Sequence, residues 1–317
     1  MLCKNIPLII GPLPPPIGGV AVHVQRLISE LNKQNYNFSF INSKELKFSI
    51  LFRSLFIHKT IHLHSSNVYF QFFVSIFSFL FRKKLIITFH RDIFRYQHFH
   101  RILLLLTIIL SDTPIVLNEK SYGFSLKFNS NTKYISSFIP PDLETEMTLN
   151  IVPNFFNSRF EKYFCTNAFD FVFDSKGQEI YQITTLVDIF KNFPSYLLVI
   201  SDPSGAYTKA MVKSLPQLPD NIIFIPYPHS FFQILKQSDC LIRFTTTDGD
   251  SLSVREALYL NKSVIATNVV NRPIGVTTVN LNRNDLTSLI KSINFSIGLK
   301  SRETIPTTTL DLINLYN

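Results

Sequence analysis

CLIRFTTTDGDSLSVREALYLNKSVIAT, residues 240–267, reads as a strand, an acidic loop rich in glycine and serine, a helix from about Ser253 and a second strand. Two strands separated by a helix lie parallel in one sheet, and strands of this apolar character are covered by helices on both faces. The unit therefore predicts an α/β domain with a parallel sheet.

The alternation continues outward in both directions. Upstream, FVF (171–173) reads as a strand, followed by a helix through Leu186, Ile189 and Phe190; then come YLLVIS, a helix from Ala206, NIIFI and a helix from Phe231. Downstream a last helix lies near Asn284. The first half repeats the pattern: PLII, a Pro/Gly loop, a helix carrying Val20, Val24, Leu27, Ile28 and Leu31, then YNFSFIN, TIHLH, an apolar helix from Val68, LIITFH, a helix around Ile102 and TPIVL. Between Phe138 and Asn167 the pattern breaks into a Pro-containing irregular segment with one short aromatic helix. The expected organisation is α/β, two Rossmann-like domains facing across a cleft. Residues 1–140 form the first domain, 141–167 a linker, 168–300 the second domain, and 301–317 a C-terminal segment crossing back to the first.

Composition narrows the class. The chain has 317 residues, 46% of them hydrophobic and 17% charged, enough to bury two ordinary cores and far from the profile of disorder. Cys3, Cys165 and Cys240 form neither a zinc pattern nor a disulfide framework, which favours a reducing cytosol. PLII is too short for the core of a signal peptide, and Val68 to Phe81 and Ile102 to Leu110 fall short of the roughly 18 apolar residues a membrane span needs. A formal charge of +9 suits phosphates or an anionic membrane surface. No basic stripe interleaves with aromatics, so nucleic acid is not an expected partner.

In an open parallel sheet, ligands bind beyond the carboxyl ends of the strands. After CLIRF the loop runs straight into a helix, whose first amides and partial positive charge suit a diphosphate. Gly249 and Ser251 allow close backbone approach, and Glu256 has a carboxylate able to accept two hydrogen bonds from a diol. Ser253 to Glu256 also fits S-x-x-E, a capping box that accounts for Glu256 with no ligand. Spacing alone does not separate the two.

Asp248-Gly249-Asp250-Ser251-Leu252-Ser253-Val254-Arg255-Glu256 resembles the donor-site signature of glycosyltransferase family 4, E-G-F-G-x-x-x-x-E, with Asp248 in place of the first Glu and Asp250-Ser251 in place of Phe-Gly. The resemblance is firmest from Leu197 to Val276 and implies the two-domain GT-B architecture. It implies that Glu256 holds the donor ribose, that Asp248 meets the transferred sugar, and that the amides from Ser251 to Ser253 meet the diphosphate, with Gly249 and Asp250 in the same loop. It further implies that Gly18 and Gly19, between the first strand and the helix carrying His23, lie against the donor phosphates and the acceptor; a plain strand-to-helix turn explains them equally. His90, ending LIITFH, corresponds to a sugar-contacting histidine. For the diphosphate the basic residues on offer are Lys176, Arg243 and Arg272. His62 and His64 alternate on one strand, and with no third ligand at an obvious spacing neither a metal site nor a metal cofactor is expected; His64 is expected to line the cleft.

The reaction these expectations describe is transfer of a sugar from a nucleotide donor to a saccharide, with retention of configuration. DGDS-type relatives point to a lipid-linked acceptor in capsule or O-antigen assembly. FSILFRSLFIHK and FSFLFRKK could rest the first domain on the cytoplasmic face of the inner membrane, or could be ordinary buried helices. Two rivals share these features: a nucleotide-sugar 2-epimerase of the same fold, and a non-catalytic nucleotide-binding assembly protein.

Overall fold

The computed structural model describes residues 6–15, 17–95, 98–141, 152–155, 159–214, 218–292 and 308–317. Pro16, much of the expected linker (142–151 and 156–158) and residues 293–307 lie outside the described residues. The chain divides into two compact units, Met1–Ile139 with Pro306–Asn317, and Pro140–Ile305.

Unit 1 runs β1 (Leu8–Gly11), α1 (Gly19–Lys33), β2 (Ser39–Asn42), α2 (Phe48–Ile57), β3 (Thr60–His64), α3 (Val68–Leu80), β4 (Lys84–Phe89), α4 (His98–Leu110), β5 (Thr113–Val116), α5 (Glu119–Ser125) and β6 (Lys133–Tyr134). All its strands pair in parallel, in the order β2-β1-β3-β4-β5-β6. β1, β3 and β5 are buried along their whole length, as strands covered on both faces must be. A further helix, Thr308–Tyr316, belongs to this unit; its Leu312 and Tyr316 join Ile9, Leu27, Leu31 and Ile86 in one core cluster. Chain order reverses between β1 and β3, so the crevice of this sheet opens at their carboxyl ends.

Unit 2 runs β7 (Lys162–Asn167), α6 (Ile183–Phe190), β8 (Tyr196–Ser201), α7 (Ala206–Ser214), β9 (Ile222–Ile225), α8 (Phe231–Gln237), β10 (Cys240–Arg243), α9 (Leu252–Tyr259), β11 (Ser263–Thr267), β12 (Val276–Val279) and α10 (Arg283–Ser292), with α11 being the helix Thr308–Tyr316 of unit 1. The order β12-β11-β10-β7-β8-β9 is again all parallel and reverses between β7 and β10.

Two expectations change here. Lys162–Asn167, assigned to the linker, is a central strand: its buried Tyr163, Phe164, Cys165 and Thr166 pair with β8 on one side and β10 on the other. FVF at 171–173 is instead part of a loop held by an isolated antiparallel bridge from Phe173 to Glu179, with the turn Asp174–Gln178 between them. Cys165 and Cys240 are free, buried thiols, and burial pushes Cys165 up to about 12. Among the described residues no helix is long and apolar enough to cross a membrane.

Candidate functional site

The carboxyl ends of β7 and β10 carry Asn167 and Arg243, side by side at the reversal point of the unit 2 sheet. Arg243 donates through Nη1 to the Asn167 carbonyl (3.2 Å) and Oδ1 (3.3 Å), and grips Asp248 through Nε to Oδ2 (3.1 Å) and Nη2 to Oδ1 (3.0 Å). Its guanidinium lies over the Tyr181 ring, 5.3 Å from the centroid. Arg272, beyond β11, donates through Nη1 to Asp248 Oδ2 (2.7 Å) and through Nε to the Thr267 carbonyl (2.9 Å). Gly249 N donates to Asp248 Oδ1 (3.1 Å).

A carboxylate has about four lone-pair sites, and these four donors fill them. Asp248, expected to meet the transferred sugar, is here the buried anchor of two arginines. Burial by itself raises the Asp248 pKa, but Arg243 and then Arg272 outweigh it and hold the group below the usual carboxylate value. Further hydrogen bonds tie down the loop from residue 244 to 251. Thr267 Oγ1 donates to the Thr245 carbonyl (2.9 Å), Thr246 N to the Ile180 carbonyl (3.0 Å), and Arg255 Nε to Asp250 Oδ1 (2.8 Å).

This loop delivers the chain into α9, whose N-cap is Ser251. The capping-box reading of Glu256 fails, because with Ser251 at the cap the third helical residue is Val254, and Glu256 is the fifth, beyond the first turn. The hydroxyls of Ser251 and Ser253 meet each other at 2.9 Å, and Ser251 makes no side-chain cap bond. The leading amides of α9, Leu252 and Ser253, have no helical carbonyl to serve, while Glu256 is buried on the following turn. Lys176 is apart from this group, on the exposed turn Asp174–Gln178.

Unit 1 has its own cluster at the reversal point of its sheet. His64 ends β3, His90 follows β4, and His23 reaches in from α1. His64 Nδ1 lies 3.1 Å from His90 Nε2, and the ring of His23 is 5.1 Å from each of the other two. His23 Nδ1 is 2.6 Å from the Ser137 carbonyl. His62, one strand position pair earlier, is turned to Tyr316 Oη (2.7 Å) and Thr88 Oγ1 (2.9 Å). Burial, then His23, push His62 down to about 3; burial, then the neighbouring imidazoles, hold His64 and His90 well below the ordinary histidine value. Spacing along β3 offers no third partner for His62 and His64; the fold supplies His23 and His90 from other elements.

Gly18 and Gly19 stand at the start of α1, beside this cluster in the chain. Gly18 is extended (φ −146°), and a Cβ on Gly19 would meet open space, so neither backbone strain nor packing demands a glycine at Gly19. Gly11 is different: a Cβ there would come 2.9 Å from Val24 Cγ2 and 3.1 Å from His64 Cβ, so the glycine lets α1 close on the sheet.

No family model matches the sequence, and no curated protein matches it either. Solved structures do. Anabaena HepE in complex with UDP and glucose aligns over 98% of this chain and 97% of its own, with a TM-score of 0.68 at 10% identity. WaaG, a glycosyltransferase involved in lipopolysaccharide biosynthesis, aligns over 98% and 100% with a TM-score of 0.66 at 10% identity. Sucrose-phosphate synthase from Thermosynechococcus elongatus aligns over 98% and 95% with a TM-score of 0.63 at 14% identity. The two parallel sheets with their helices are thus the GT-B fold of these proteins.

Proposed function

We propose that this chain is a glycosyltransferase of the family 4 type, moving a sugar from a nucleotide donor to a saccharide acceptor with retention of configuration. The observation that carries the reading is the loop after β10: an Asp248 clamp on Arg243 and Arg272 fixes it at the reversal point of the sheet, where it presents the amino end of α9 with Glu256 behind it. The likeness in fold to HepE, whose structures hold UDP, glucose and UDP-glucose, agrees with that ligand class.

In this reading the α9 amides take the diphosphate and Glu256 takes the ribose diol. Arg272 commits one Nη1 hydrogen to Asp248 and one Nη2 hydrogen to Thr267 Oγ1 (3.5 Å), which leaves each of these nitrogens a second hydrogen for a phosphate oxygen. Asp248 acts as a positioning residue. A preorganised helix terminus and guanidinium stabilise the departing diphosphate electrostatically, without a metal ion there. No protein nucleophile is assigned; a leaving phosphate oxygen takes the acceptor proton on the same face of the sugar. Gly18, Gly19, His64 and His90 belong to the acceptor side.

The acceptor assigned is a lipid-linked saccharide of a surface polysaccharide such as capsule or O-antigen, at the cytoplasmic face of the inner membrane. Support for a membrane surface comes from α2 and α3, which leave Ile57, Phe79 and Leu80 exposed to 64%, 63% and 67%, with Phe56, Phe81, Lys59 and Arg82 also exposed around them. The opposite faces of the same helices, with Leu51, Leu55, Val74 and Phe77, pack into the core.

The test is incubation with uridine, guanosine and cytidine diphosphate sugars, with and without lipid-linked saccharides, followed by mass spectrometry. Sugar transfer that requires an acceptor is expected. Conversion of the donor without acceptor identifies an epimerase, and binding with neither product identifies a non-catalytic nucleotide-binding protein; either overturns the proposal.

A further inference from the structure

We propose that His23, His64 and His90 form a binding site for a divalent transition-metal ion, zinc foremost. Each imidazole offers one nitrogen, and the three nitrogens lie within 4.8 Å of one another. Two of the residues already stand at ligand spacing: His64 Nδ1 and His90 Nε2 are 3.1 Å apart, whereas two nitrogens bound tetrahedrally to zinc at 2.0 to 2.1 Å are separated by about 3.3 Å.

The surroundings have the form that metal-binding histidines require. A ligand histidine usually sends its other ring nitrogen to a carbonyl or carboxylate, which fixes the tautomer and aims the lone pair. For His23 the Ser137 carbonyl, 2.6 Å from Nδ1, makes Nδ1 the protonated nitrogen and leaves the lone pair on Nε2. His64 is fully buried, and its Nδ1 is turned to His90 and away from solvent. His62, whose ring centroid is 4.0 Å from that of His64, is itself held by Tyr316 and Thr88, so it supports His64 without competing for the ion.

The choice of metal follows from the donor set. Three neutral imidazoles suit zinc, copper, nickel and iron, and not magnesium or calcium, which take oxygen ligands. Three protein ligands leave a fourth tetrahedral position open. His23 and His64 are buried and His90 is partly exposed, so the open position lies on the His90 side, available to water or to a hydroxyl or phosphate oxygen. The inference stands on unit 1 alone and does not depend on the donor site of unit 2.

The experiment uses the full-length chain free of any polyhistidine tag, stripped with chelator and titrated with cobalt(II) alone. A saturable visible absorption band of tetrahedral type, with one equivalent bound and displaced by zinc, is expected. His23→Gln and His90→Gln should each weaken cobalt affinity by more than the roughly 10- to 100-fold that loss of an outer-shell partner costs, while exposed His100→Gln leaves it unchanged. Circular dichroism of each variant confirms folding, and the partly exposed His90 keeps the test valid if His23→Gln does not fold. No saturable band, or one that persists undiminished in folded His90→Gln, overturns the proposal.

Discussion

Asp248 is the residue on which the unit 2 site turns, and its burden is electrostatic. Removing its charge leaves two guanidiniums facing a neutral amide in a buried setting, so Asp248→Asn should cost about 3 to 5 kcal/mol in urea unfolding at neutral pH. A loss under about 1 kcal/mol would contradict the clamp. The pH dependence has a definite sign. A carboxyl whose folded-state pKa is depressed contributes stability that is present above its unfolded value of about 3.9 and is lost as pH falls through the folded value. Urea midpoints should therefore fall off below about pH 4 in the native protein, and Asp248→Asn should lack that share of the decline. The acidic position is legible in the sequence, but its role is not. Arg243 and Arg272 meet at Asp248 only because β10 and β11 pair in register, Arg243 opposite Ala266, and no local spacing rule joins residues so far apart in the chain. Glu256 shows the opposite case, where a local rule fits the letters and the helix starts elsewhere.

Among the elements, strands built from aliphatic and β-branched residues, such as LIITF and SVIAT, are legible because their burial on both faces leaves a continuous apolar run. KYFCTN is not: it follows a Pro-containing stretch, carries lysine and asparagine at its ends, and its aromatics fit a short helix equally well. Missing it hides Asn167, the partner of Arg243 at the head of the site. The segment leading into α1 makes a paired prediction. Gly11→Ala forces a Cβ into Val24 and His64 and should destabilise the chain by about 1 to 3 kcal/mol. Gly19→Ala meets open space at the first residue of a helix and should leave thermal stability level or raise it by up to about 1 kcal/mol. Equal losses in the two variants would refute this account of the turn. If Gly19 serves a ligand, Gly19→Ala should still weaken donor or acceptor binding, measured by calorimetry.

At the scale of the whole molecule, two parallel sheets, each with a reversal point, gather polar side chains at two strand edges, Asn167 with Arg243 in one unit and His64 with His90 in the other. The double βαβ pattern is visible in the sequence because every repeat writes its own periodicity. The histidine cluster is not, since residues 23, 64 and 90 come from three elements that only topology brings together. In unit 1 the helices return from the carboxyl to the amino edge of a parallel sheet, which puts Ile57, Phe79 and Leu80 at the edge opposite the histidines. The full chain should therefore co-sediment with vesicles containing anionic phosphatidylglycerol, less with phosphatidylcholine alone, and less again as salt rises; equal binding to both lipids would argue against the basic component.

The central claim, a nucleoside diphosphate held by the α9 amides and Glu256, is tested most directly by calorimetric titration of uridine, guanosine and cytidine diphosphates into native protein and folded Glu256→Gln. The account predicts that one of them binds the native protein saturably and binds the variant at least about tenfold more weakly, the loss of one charge-assisted hydrogen bond. Binding of equal strength by the two proteins, or by none of the three nucleotides to the native chain, would contradict it.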